Sequence, residues 1–245
     1  MANQEKDSLL IIADISGYTR FMMKNAEALG HAQAVITDLM NAVLKEARLP
    51  LKVAKLEGDA VFLFAADRGK GSWPKDLAII RERLPRLYTA FQRKTAELML
   101  TNECDCGVCD HVDYLKLKFV VHAGKVLFHK VGNFDELAGV EVIVLHRLLK
   151  NSVDAKEYFL LTEAACQALG MDAGDPLYRP QEEAYEDVGR IPVRVRTDLD
   201  ALKFHADAQF KAVYSGRWAK LASLIPKTWI LMVTSRRRKY SHLNE

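Results

Sequence analysis

A chain of 245 residues with 49% hydrophobic and 27% charged residues can build a substantial core, and 13 Gly with 7 Pro exclude collagen-like and low-complexity classes. Its 35 Lys and Arg against 32 Asp and Glu leave a net charge of +3, too even to mark a nucleic-acid binder. No apolar run approaches the roughly 20 residues of a bilayer span, and the opening MANQEKDSLLIIADIS lacks the basic flank of a secretory signal, so the sequence predicts a cytoplasmic chain.

In chain order, the continuous apolar run at 8–15 predicts a buried strand ending in a polar turn. A helical stretch follows, with Val35, Ile36, Leu39, Met40, Val43 and Leu44 on one side and Pro50 marking its exit. Two short strands, 51–54 and 60–65, flank the turn formers Gly58 and Asp59 and predict a hairpin. Residues 75–100 read as a helix with Leu77, Ile80, Leu84, Leu87, Phe91 and Leu98 on one side and a kink at Pro85. After a cysteine-rich loop come strands at 115–122 and 124–130, a loop at 131–139 and a helix start at 140–149. A strand at 158–161 and an edge strand at 189–196, tolerant of Pro192, complete the pattern. This order predicts an α+β fold with a mainly antiparallel sheet and helices packed on one face, occupying residues 8–199. Residues 200–245 read as a helical extension with a basic tail.

Two carboxylates stand out. Asp14 ends the first strand and Asp59 sits in the hairpin turn; singly, one could cap a helix and the other simply form the turn. Their flanks say more. The segment Ile12-Ala13-Asp14-Ile15-Ser16-Gly17-Tyr18-Thr19 resembles the first metal-binding motif of class III nucleotidyl cyclases, and Lys55-Leu56-Glu57-Gly58-Asp59 resembles the second. Val131-Gly132, Gly139 and Arg147-Leu148 resemble the loop and helix that complete a cyclase site across a dimer. The likeness spans roughly residues 8 to 165. The combination of ADISGYTRF, LEGDAVF, the cysteine loop and GVEVIVLHRLLKN is more similar still to an uncharacterised group of bacterial cyclase-like proteins.

The resemblance implies the ferredoxin-like class III cyclase fold and a set of roles. Asp14, the backbone of Ile15 and Asp59 would hold two divalent ions, Mg²⁺ or Mn²⁺, one activating a ribose 3′-hydroxyl and one holding the triphosphate. The turn Ile15, Ser16, Gly17 and Tyr18 would offer N–H groups to phosphate. Lys55 and Glu136 would read the base, and Arg147 would stabilise the transition state. The family's transition-state Asn falls at Ile143, which cannot donate a hydrogen bond; losing one such donor costs about 10² to 10³ in rate. The expected function is therefore a nucleotide- and metal-binding, divergent or degenerate cyclase acting as a homodimer. An active cyclase making a cyclic nucleotide from a nucleoside triphosphate and a non-catalytic scaffold or signalling module are the alternatives.

Cys104, Cys106, Cys109 and His111, in the insert at 104–111, form C-x-C-x-x-C-x-H, able to wrap one Zn²⁺ or to stand as a loop of reduced thiols. Cys166 reads as core. His122 reads as packing at a strand end, and His146 as facing solvent or a dimer partner. The basic run at 235–240 offers a weak contact for an anionic membrane surface, its plainer reading being a solvated terminus.

Overall fold

The apolar run near the start of the chain becomes the middle of the sheet. In the computed structural model, which describes residues 4–101 and 107–215, β1 (Gln4–Ser16) lies between β3 (Ala60–Ala66) and β4 (Lys116–Val131) and pairs antiparallel with both. Buried on both faces, its central residues Leu9, Leu10, Ile11 and Ile12 are all 0% exposed, which is why the run is continuous rather than alternating. The eight-stranded sheet has the order β2-β3-β1-β4-β6-β8-β7, with β5 paired to β4. Here β2 is Lys52–Glu57, β5 Phe134–Ala138, β6 Tyr158–Thr162, β7 Arg179–Tyr185 and β8 Gly189–Arg196. Only the β4–β6 pairing is parallel among the described ladders.

The main helical layer covers one face. The helical stretch after β1 is two helices, α1 (Tyr18–Lys24) and α2 (Leu29–Glu46), because the backbone and side-chain amides of Asn25 both donate to Phe21 O and a 3-10 turn follows. α2 buries Val35, Ile36, Leu39, Met40 and Val43, the stripe its spacing predicts. α3 (Trp73–Leu100) runs through Pro85 and buries Leu77, Ile80, Leu84, Leu87, Phe91 and Leu98. With α5 (Glu163–Ala168) these helices close over Leu9, Ile11, Phe119 and Phe159, the two rings stacked at 4.8 Å. Cys166 is buried in that core, as its apolar surroundings predict. The opposite face carries α4 (Val140–Leu148), whose Val144, Leu145 and Leu148 cover Leu10, Ile12 and Val120.

Four local expectations change. The two strands at 115–122 and 124–130 are the single strand β4: Gly124 interrupts nothing, since the Glu141 side chain packs where its Cβ would stand. Residues 134–138, expected as loop, form β5, folded back on β4 through Gly132 and Asn133. β7, which the sequence did not announce, pairs along β8 and takes the edge, so β8 is an inner strand. Pro192 lies beyond the last β6–β8 pair, Thr162 with Val193, where its missing N–H interrupts no bond to β6.

Beyond residue 200 the chain forms a 3-10 turn at Asp200–Leu202 and α6 (Ala208–Ser215). The rest of the expected extension, its basic run at 235–240, and Cys104 and Cys106 lie outside the described residues. Among the described residues no helix is long and apolar enough to cross a membrane.

Candidate functional site

Strand register brings the two carboxylates together. Asp14 stands opposite Ala60 on β3 and opposite Lys118 on β4. Asp59 immediately precedes Ala60, and its carbonyl accepts from the Ile15 N–H at 3.2 Å, fastening the hairpin turn to the end of β1. Burial, and then the charge of Asp14, push the Asp59 carboxyl above its ordinary range, so the two acids repel across this short span. Asp14 has a partner that the motif did not announce: Lys118 Nζ donates to its Oδ2 at 2.9 Å, with the side chains only 19% and 17% exposed. Burial opposes the Lys118 charge, but the hydrogen bond and charge of Asp14 outweigh it, and the net shift is upward. Tyr158, in register with Lys118 on β6, is buried beside it and accepts from Asn151 Nδ2 at 2.7 Å.

The turn after Asp14 is held tightly. Ile15 is 3% exposed, and its N–H is the one held by the Asp59 carbonyl. Gly17 has φ +89°, and a β-carbon there would lie 2.7 Å from the carbonyl oxygen of Tyr114. Its own carbonyl accepts from Phe21 N–H at 2.9 Å and opens α1, while Tyr18 packs against the helix-side core. Among the described residues no cluster of three or more His, Cys, Asp or Glu side chains could hold a metal ion. Asp14 and Asp59 are two carboxylates, and Lys118 already engages one oxygen of Asp14.

On the same face, but displaced along the strands, lies a cleft of about 860 Å³. It is lined by Phe62, Phe64 and Phe128, by Lys55 and Glu136, and by Lys6, Lys52, Arg68 and Lys130; Asp14 and Asp59 do not line it. Lys55 donates to Glu57 at 2.9 Å, and Glu57 also meets His146 Nε2 at 3.2 Å. Burial raises the Glu57 carboxyl, yet Lys55 and His146 together take it below its ordinary range. His146 therefore faces β2 of its own chain. His129, which the sequence did not single out, also lines the cleft, and its buried Nδ1 has no hydrogen-bond partner among the described residues.

α4 closes this face. Ile143 is 53% exposed, and one turn on Arg147 ion-pairs with Asp187, between β7 and β8. His122 is not at a strand end but within β4, where Nε2 meets Glu141 of α4 at 2.5 Å and Nδ1 meets Thr162 at 2.9 Å. It fixes the start of α4 to the sheet.

In the cysteine-rich insert, Cys109 is buried and its Sγ lies 3.6 Å from Nε2 of His31, on the first turn of α2. The His111 ring instead lies 5.5 Å from that of Tyr114, and its Nδ1 has no hydrogen-bond partner among the described residues.

Residues 36–158 match the family model described as "Protein of unknown function (DUF2652)". The chain is 36% identical over 154 residues to the uncharacterized protein Rv2561/Rv2562 of Mycobacterium tuberculosis, a match covering 63% of this chain and 69% of that protein. In three dimensions it is similar to the adenylyl cyclase CyaB from P. aeruginosa, with TM-score 0.58 and 15% identity over 81% of this chain and 97% of the other. It is also similar to the catalytic core of a rhodopsin-guanylyl cyclase with converted specificity in complex with ATPαS, with TM-score 0.57 and 15% identity over 80% and 98%. At such identities the likeness is one of fold.

Proposed function

Because the chain belongs to the DUF2652 family and carries the fold of class III cyclase catalytic domains, we propose that it is a nucleotide-binding homodimer, a divergent cyclase relative that has lost cyclase turnover. The observation that carries this reading is the cleft, whose lining brings Lys55, Glu136 and three phenylalanines together with Lys6, Lys52, Arg68 and Lys130. Aromatic rings give a base a flat apolar surface, a Lys and a Glu give its polar edge one donor and one acceptor, and the basic side chains suit phosphate. The rhodopsin-guanylyl cyclase core takes an ATP analogue, and we carry that ligand class over to this chain.

Three local features support the reading that turnover is lost. Ile143 has no hydrogen to donate, Arg147 is engaged by Asp187, and Lys118 engages one oxygen of the carboxylate pair expected to hold Mg²⁺ or Mn²⁺ ions. The cleft and the carboxylates share one face without meeting, and exposed Val131, Phe134, Val140 and Ile143 lie on β4, β5 and α4. A second copy related by a two-fold axis would cover this apolar surface and set one protomer's cleft against its partner's Asp14 and Asp59. Calorimetric titration with ATP and GTP is expected to show binding that Lys55→Ala weakens about tenfold, the scale of one charged hydrogen bond. Light scattering at tens of micromolar should give a dimer, and mass spectrometry should find no cyclic product from any of the four nucleoside triphosphates. A cyclic product would instead favour an active cyclase, and a monomer that binds no nucleotide would favour the scaffold.

We extend the reading to a structural zinc ion, for which the Cys109–His31 contact is the support. Ligands at 2.3 Å and about 2.0–2.1 Å around a tetrahedral zinc stand about 3.6 Å apart, which is the separation of Cys109 Sγ and His31 Nε2. His31 thus competes with His111 as the nitrogen ligand beside the cysteines. Protein purified without chelator is expected to carry about one zinc per chain by elemental analysis. Cys109→Ser should remove it; His31→Ala should lower occupancy and His111→Ala should not. No zinc in the unsubstituted protein would leave a plain loop of reduced thiols.

A further inference from the structure

We propose that Lys118 is a built-in cation standing where a divalent ion would have to bind at Asp14, and that it excludes a resident two-ion centre from this site. Asp14 and Lys118 are directly opposed in the β1–β4 ladder, so both side chains project from the same face. Lys118 is flanked by Asp14 on one side and by Tyr158, its register partner on β6, on the other. With only 19% of its side chain exposed, the lysine has little room to withdraw. Its Nζ lies 2.9 Å from Asp14 Oδ2. An ion coordinated by that oxygen sits within about 2.6 Å of it, hence no farther than about 5.5 Å from the ammonium. The other neighbour of Asp14 is Ala60, which supplies no ligand atom from its side chain. An incoming ion would therefore meet a fixed positive charge and, among the described residues, only Asp59 as a second acid.

The inference rests on the cyclase-like reading but concerns the carboxylates rather than the cleft, and its test uses Mn²⁺ alone, so the failure of one leaves the other standing. Free Mn²⁺ is followed by electron paramagnetic resonance during titration of the full chain and of Lys118→Met, Lys118→Arg and Lys118→Met/Asp14→Asn. Lys118→Met should bind Mn²⁺ at least about tenfold more tightly than the parent, the scale on which one adjacent charge alters a site. The gain should vanish in the double variant, which shows that the ion sits at Asp14. Lys118→Arg, which keeps the charge, should match the parent. Should Lys118→Met not fold, Lys118→Gln takes its place with the same expectation. Equal affinities for the parent and the neutral variant would overturn the proposal, as would a gain that survives loss of Asp14 or one that Lys118→Arg reproduces.

Discussion

Replacing Asp14 with asparagine is expected to destabilise the protein by about 2–3 kcal/mol, whereas the same change at Asp59 is expected to raise the melting temperature or leave it unchanged. Repulsion between two acids, taken alone, makes both changes stabilising. Lys118 separates them. Asn at position 14 still accepts a hydrogen bond but leaves a largely buried ammonium without its counter-charge, and Lys118 is only 19% exposed. Breaking a fully buried pair by removing one partner costs about 3–5 kcal/mol, and partial access to solvent reduces that. For Asp59 the sign runs the other way. Its folded carboxyl is raised by burial and by Asp14, so ionising it costs the folded state. A carboxylate with a raised folded pKa contributes stability at low pH, and that contribution is lost as pH rises through the folded value. The benefit of Asp59→Asn should therefore be present at pH 7 and fade towards pH 4. Urea and thermal unfolding of the two single variants at both pH values measure this. Equal destabilisation by both would mean that Lys118 serves the two acids alike.

Gly17→Ala is expected to cost about 2–4 kcal/mol, and Gly58→Ala only about 1–2 kcal/mol. Both glycines have positive φ, +89° and +65°, so both changes carry the conformational penalty of a β-carbon in the left-handed region. They differ in what that carbon meets. At Gly58 nothing lies within 4 Å, while at Gly17 the Tyr114 carbonyl oxygen would be 2.7 Å away. That oxygen belongs to backbone at the end of the 3-10 turn Cys109–Tyr114, just before β4 begins, so relief requires the chain itself to move. Denaturant unfolding of both variants separates conformational from steric cost, with Gly58→Ala as the internal control. Equal losses would show that the segment ahead of β4 yields freely.

Much of this fold is written locally. The helical stripes of α2 and α3 follow from burying apolar side chains at a fixed period, the run of β1 from burial on both faces, and the turn from the positive φ that Gly58 supplies. Asp14 and Asp59 were equally legible, because motif residues flank both. What failed locally were elements whose state depends on a neighbour. β5 is a strand because β4 is long enough to receive it, and β8 is an inner strand because β7 takes the edge. Gly124 keeps β4 unbroken because Glu141 fills the space beside it.

The partners of the site residues needed the whole sheet. In the sequence Lys118 is one charge in a strand and His31 one polar residue in a helix, and nothing in their flanks singles out either. Insertion of β1 between β3 and β4 sets Lys118 opposite Asp14, and packing of α2 beside the cysteine insert brings His31 to Cys109. Period tells which face a side chain occupies, since burial of apolar surface is a property of the single element. Register tells what stands opposite it. That is decided by the pairing of strands distant in sequence, and a shift of one residue would send the side chains to the other face.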